Sequence, residues 1–247
     1  MQLAVFDVDG TLTDTTKVDA VCFLRTFAEE LGITLHSDWI DYTSPTDSGI
    51  TLQAFQERFG RSPSADEVAA LRRRFVGLLE QSFRDAPDGC RAVPGAPALL
   101  DRLRATPGWE VAIATGCWKA SALLKLRNAA VNVDDVPAAF ADDAATRDDI
   151  LTLAVARSRE RYGHDFERVV YVGDGVWDVR TAMRLNVPFV GVGRDEHAAR
   201  LRREGATHVV PDLTDPDRML ETLAATGVPT PATSAVPSLV KREINAT

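Results

Sequence analysis

Short apolar runs alternate along this chain with longer segments of helical period. "LAVF" (3–6) stops at Asp7, and "WEVAIATG" (109–116), "RVVYVGDG" (168–175), "VPFVGVG" (187–193) and "HVVP" (208–211) repeat the pattern. An apolar run without polar alternation reads as a strand covered on both faces. Helical segments between such strands imply parallel pairing, because parallel neighbours need a crossover connection. The expected fold class is α/β, a doubly wound parallel sheet. "PAAFADD" (137–143) can add a further short strand.

One stretch breaks the alternation. Residues 15–92 supply helices only. The first is expected to begin at an Asp19 cap, to carry Val21, Leu24, Phe27, Ala28 and Leu31 on one face, and to end at Gly32. A break around "TSPTDSGI" (43–50) precedes a helix over Leu52–Phe59. "SADE" (64–67) is a capping box, Ser64 with Glu67, and opens a third helix that runs through Phe83. "DAPDGCRAVPGAP" (85–97) reads as a hinge. The division expected is a discontinuous core of 1–14 and 93–225, a helical insertion at 15–92, and a tail at 226–247. That tail is rich in Pro, Ser and Thr, has no period, and is expected to be disordered.

A formal net charge of −8 over 247 residues argues against a nucleic-acid or membrane-surface partner. The three cysteines, Cys22, Cys90 and Cys117, have no ligand spacing and read as reduced thiols. No apolar stretch approaches the roughly 18 residues of a membrane span. With no leader-like amino terminus, a cytoplasmic location is expected.

In open parallel sheets, ligands bind beyond the carboxyl ends of the strands. Three strands here end in polar groups at that edge: Asp7 with Asp9, Thr115 with Gly116, and Asp174 with Asp178. Asp7 is a usable nucleophile toward phosphorus. Asp9, in a tight loop opened by Gly10, can protonate a leaving oxygen and later take a proton from water. Asp174 and Asp178 add oxygen ligands, and such a set suits Mg2+. The Thr115 hydroxyl and the Gly116 amide can hold a phosphate oxygen. Arg147, at a helix start, can balance charge on Asp7 and a phosphoryl group.

"DVDGT" (7–11), "ATG" (114–116), an Arg at a helix start and "GDGVWD" (173–178) resemble, in order and spacing, the four motifs of the haloacid dehalogenase (HAD) superfamily. The resemblance covers residues 1–14 and about 93–225. It implies a Rossmann-like core, with Asp7 as the nucleophile that forms an aspartyl-phosphate and Asp9 as general acid/base. It implies Mg2+ held by Asp7, the backbone carbonyl of Asp9, and Asp174, with Asp178 binding directly or through water. The helical insertion is similar to the family's C1-type cap. The second aspartate implies P–O rather than carbon–halogen chemistry, since a departing alkoxide needs an acid.

Two departures stand out. The third motif is often lysine, and here Arg147 is taken over Lys119 and Lys125, which come too early in the order. In the fourth motif Asp174 is followed by Gly175, so the second acid must be Asp178, a residue that could also merely favour its helix's positive end. "TDSGI" (46–50) reads either as a helix-capping turn or as a loop that brings Asp47 or Ser48 to substrate. "RRR" (72–74) reads as a solvated helix face, and no histidine is given a role. The activity expected is Mg2+-dependent hydrolysis of a small phosphate ester. A phosphomutase using the same aspartates and a non-catalytic phospho-accepting signalling module are the alternatives. Neither the ester nor the oligomeric state is legible.

Overall fold

The computed structural model describes residues 1–231 and contains one sheet of six parallel strands in the order β3-β2-β1-β4-β5-β6. The strands are β1 (Gln2–Phe6), β2 (Trp109–Ala114), β3 (Ala138–Ala139), β4 (Arg168–Gly173), β5 (Phe189–Val192) and β6 (His208–Val210). The helices are α1 (Thr16–Leu31), α2 (Asp47–Phe59), α3 (Ala65–Asp85), α4 (Ala96–Arg104), α5 (Lys119–Asn128), α6 (Arg147–Tyr162), α7 (Val176–Arg184), α8 (Asp195–Glu204) and α9 (Pro216–Ala225). Leu3, Ala4, Val5 and Phe6 are fully buried, as an apolar run in a central strand must be. α4 packs with α9, while α6, α7 and α8 pack in succession along the sheet. No described helix is long and apolar enough to cross a membrane.

The chain leaves β1 on one side toward β2 and returns to β4 on the other, so the strand order reverses at β1. That reversal opens the crevice in which open α/β sheets bind ligands. Phe6 is level with Ile113 on β2 and with Val172 on β4. Asp7, Ala114 and Gly173 therefore leave the sheet at the same height, and the polar residues that follow them share one rim.

Between β1 and β2 the three helices α1, α2 and α3 stand over that rim. α1 and α3 pack through Phe23 and Phe75, whose rings meet edge to face at 5.3 Å. Trp118, buried before α5, meets both rings. The start of α2 is fastened to the core by several hydrogen bonds. The Asp47 amide donates to the Gly116 carbonyl (2.8 Å), and the Ser44 and Thr46 hydroxyls donate to the Ala145 carbonyl at 2.6 and 2.7 Å. The Ser48 hydroxyl donates to the Ala141 carbonyl at 2.5 Å.

Four local expectations change. α1 begins at Thr16, and Asp19 lies inside its first turn with its carboxylate committed elsewhere. α2 begins at Asp47 rather than Leu52, because the Thr46 hydroxyl accepts the Gly49 amide as a cap. In the arginine run, Arg72 pairs with Asp142 across the seam between insertion and core at 3.0 Å, and lies over the Trp118 ring. The tail does not begin at 226. The Thr226 hydroxyl donates to the Phe189 carbonyl, the Phe189 amide donates to the Gly227 carbonyl, and the Thr230 amide reaches the Gly205 carbonyl. The rest of the expected disordered tail, 232–247, lies outside the described residues.

Candidate active site

Asp7 leaves β1 with its amide donating to the Val172 carbonyl of β4 at 2.9 Å. Arg147, the first residue of α6, lies with Nη1 3.5 Å from Asp7 Oδ2 and donates to Asp178 Oδ1 at 2.8 Å. Its guanidinium also lies over the Trp177 ring. Asp178 is fully buried and saturated: the Tyr171 hydroxyl donates to the same oxygen and the Gly175 amide to the other. It thereby fixes Arg147 beside Asp7.

The other oxygen of Asp7, Oδ1, is buried with no hydrogen-bond partner among the described residues. Such an orphan acceptor costs energy and calls for an occupant. One carboxylate oxygen each from Asp7, Asp174 and Asp178 lies within 4.8 Å of the others. Gly10 makes this possible. Its φ is +72°, and a Cβ there would lie 2.0 Å from Asp174 Oδ2. Burial pushes Asp7 up to about 7, against the pull of Arg147. Burial, then Asp178 and Asp7, push Asp174 up as well. An all-oxygen acidic set that resists holding its own charge fits a hard divalent cation.

Asp9 has a different neighbourhood. Lys125, fully buried on α5, donates to Asp9 Oδ2 and, at 2.5 Å, to Asp19 Oδ1. The Cys117 thiol donates to Asp9 Oδ2 at 2.7 Å, and the Thr15 hydroxyl donates to Oδ1. Burial by itself would raise Asp9, but Lys125 and these hydrogen bonds outweigh it and hold the carboxyl below its ordinary value. Asp19 receives less help, and burial pushes it up to about 6.

These groups line a cavity of about 70 Å³ under the helical insertion. The rim gives Asp7, Asp9, Gly116, Cys117, Arg147 and Asp174, and the insertion gives Asp19, Phe23, Trp39, Asp47 and Ile50, among others.

A profile of haloacid dehalogenase-like hydrolases matches residues 1–186. The chain belongs to this family. A phosphoglycolate phosphatase of Agrobacterium fabrum is 29% identical over 200 residues, 77% of this chain and 79% of that protein. Protein CbbY of Rhodobacter capsulatus is 30% identical over 128 residues, 49% of this chain and only 53% of the relative's length. Among solved structures, a hydrolase from Pseudomonas syringae superimposes with a TM-score of 0.68 at 23% identity, over 90% of this chain and 99% of that one. CbbY from Rhodobacter sphaeroides, in complex with phosphate, gives 0.62 at 22% identity, over 86% and 95%. At those identities the likeness shows the fold.

In this haloacid dehalogenase-like hydrolase, Asp7, Asp9, Gly116, Arg147, Asp174 and Asp47 all border the one cavity. Thr115, Asp178 and Ser48 do not. Thr115 is fully buried, and its hydroxyl accepts the Cys117 amide at 3.3 Å. Ser48, a candidate for substrate contact, is consumed in the seam, where it also accepts the Trp118 indole N–H at 2.9 Å. Asp47 reaches the cavity while accepting the Trp118 amide at 2.7 Å.

Sequence reasoning set Lys125 aside in favour of Arg147 and gave Asp19, Cys117 and His197 no part in the site. His197 places Nε2 2.7 Å from the Asp174 carbonyl. For Lys125 a signal existed: it lies on the stripe of α5 shared by Ser121, Ala122 and Leu126, all buried. A lysine on an apolar stripe needs a buried partner.

Proposed function

We propose that the chain is a magnesium-dependent phosphatase that hydrolyses a small phosphate monoester through an aspartyl-phosphate on Asp7. The supporting observation is the partnerless Asp7 Oδ1 in the cavity under the helical insertion, with Arg147 beside the second oxygen. The A. fabrum relative's name, phosphoglycolate phosphatase, points the same way. Residues 15–92 act as a lid over a core of 1–14 and 93–225. Three unpaired, buried cysteines agree with a reducing, cytoplasmic setting.

Asp7 attacks phosphorus, and the bond to the ester oxygen breaks. Its electron pair leaves with that oxygen, which takes a proton from Asp9. Water then attacks the aspartyl-phosphate, Asp9 takes the water's proton, and phosphate departs with Asp7 restored. Arg147 and the Gly116 amide hold the phosphoryl oxygens, where positioning and charge carry most of the effect. Mg2+ would be held by Asp7 and Asp174, with Asp178 behind them, and would supply positive charge against the phosphoryl oxygens. Because Lys125 keeps Asp9 ionised in the free protein, the proton for the first step enters with the ester, whose second ionisation lies near pH ~6.

Phosphate release from a panel of small esters, measured in Mg2+ and again in EDTA, tests the activity. A chemical quench followed by borohydride reduction tests the intermediate, since an aspartyl-phosphate at Asp7 would be converted to homoserine while a free carboxylate would not. Asp9→Asn should lower turnover of alkyl phosphates by roughly 100-fold or more, and of 4-nitrophenyl phosphate far less, because only the alkoxide needs a proton. Equal losses on both would remove Asp9 from the protonation step.

Metal binding should itself depend on pH. Asp7 and Asp174 hold protons in the metal-free fold well above the ordinary carboxylate range. Their raised folded values mean that, without metal, stability is full below the unfolded value and is lost as pH rises toward 7. The cation must displace those protons. Saturating Mg2+ is therefore expected to raise Tm by several degrees at pH 8 and by little at pH 5, read by thermal melts. Equal stabilisation at both pH values would place the cation elsewhere.

A further inference from the structure

The lid is rich in cations, yet it presents none of them to the cavity. Residues 15–92 contain eight arginines and one lysine. Among the described residues, none of these nine borders the catalytic cavity. Arg25 and Arg74 are spent on Glu29, Arg61 on Glu67, Arg72 on Asp142 and Arg91 on Asp88. The lid instead turns Asp19, Asp47, Phe23, Trp39 and Ile50 inward. The two cations at the floor are engaged as well: Arg147 with Asp7 and Asp178, Lys125 with Asp9 and Asp19.

Resting on the phosphatase reading, we infer that the leaving group of the natural ester carries no second anionic group. It is a small alcohol, uncharged or positively charged. The phosphoryl end has Arg147 and a divalent cation to meet it. A carboxylate or second phosphate on the other end would lie beside Asp19 and Asp47, among aromatic rings that exclude water. Burial and Asp19 already push the Asp47 carboxyl well above the ordinary range, and Lys125 is shared by Asp9 and Asp19, so a further anion there adds to that crowding and finds no unengaged cation. An uncharged oxygen meets no such penalty. The cavity is also small. Its volume of about 70 Å³ suits a small leaving group better than a bulky one. This sets the chain apart from the activity named for its A. fabrum relative, because 2-phosphoglycolate carries a carboxylate. It also disfavours a mutase that must bind a sugar bisphosphate.

Three esters of equal length test the inference: 2-hydroxyethyl phosphate, phosphoethanolamine and 2-phosphoglycolate, which are neutral, cationic and anionic at the leaving end. The expected kcat/KM for 2-phosphoglycolate is at least about tenfold below that for 2-hydroxyethyl phosphate. Asp47→Asn, whose amide oxygen can still accept the Trp118 amide, should narrow that gap about threefold or more. A wild-type ratio below tenfold, or one that favours 2-phosphoglycolate, overturns the inference while Asp7-dependent turnover leaves the phosphatase reading standing. Release from none of the three, or release indifferent to Asp7→Asn, overturns both. The wild-type ratio decides even if Asp47→Asn does not fold.

Discussion

Asp7→Asn is expected to abolish phosphate release, by roughly 10^4-fold or more, while leaving the fold intact. The amide has nearly the shape of the carboxylate but is a poor nucleophile, so the first bond to phosphorus does not form. The change should not weaken the fold, and it removes an energetic conflict. Asp7 is buried beside two other acids, Asp174 and Asp178, and burial raises its proton affinity to about 7. An uncharged amide relieves that crowding, so in EDTA at pH 8 the variant should melt at or above the wild-type temperature, as active-site acids often cost stability. In Mg2+ the order should reverse, because the variant loses a ligand. Asp7→Ala run in parallel guards against slow deamidation of the asparagine. Turnover above about 1% of wild type in both variants would remove Asp7 from the nucleophile's place.

The placement of Asp7 and Asp174 was readable in the sequence because strand ends are punctuated. "LAVF" and "VVYV" are buried on both faces, and a carboxylate can appear only where such a run reaches solvent at the rim. Parallel pairing then brings the ends of β1, β2 and β4 level, so residues 108 and 167 positions from Asp7 converge with it. Arg147 followed from its place at a helix start. Lys125 and Asp19 did not follow, because each has an innocent local reading. An aspartate near a helix start looks like a cap, and "KASALLKLRN" looks like a basic surface helix. What decides both is a contact spanning 106 positions, between the lid and the helix after the second motif. A sequence taken segment by segment contains no trace of that pairing. The choice between Arg147 and Lys125 was also falsely framed: Arg147 stands beside Asp7, and Lys125 stands beside Asp9.

Lys125→Met tests that second pairing. Methionine keeps the length and apolar stem of lysine but removes the charge shared by Asp9 and Asp19. Breaking a buried ion pair on one side costs about 3–5 kcal/mol, because the remaining charges lose their counter-ion. At about 2–4 °C per kcal/mol for a chain of this size, Tm should fall by roughly 6–20 °C. A merely structural lysine would do the same, so the deciding readout is the pH profile. Without Lys125 the strongest pull against burial is gone and only the Cys117 and Thr15 hydrogen bonds remain, so Asp9 rises and its proton is retained to higher pH. The first step then keeps its acid, while the second loses its base: phosphoenzyme should accumulate near neutral pH, kcat should fall by roughly 100-fold, and part of the loss should return as pH rises. Adding Asp19→Asn should recover stability, because one of the two uncompensated acids is gone. It should not recover the profile, which belongs to Asp9. A Lys125→Met protein with wild-type pH dependence, whatever its melting temperature, would show that the buried ammonium fastens the lid and leaves the chemistry to Asp9 alone.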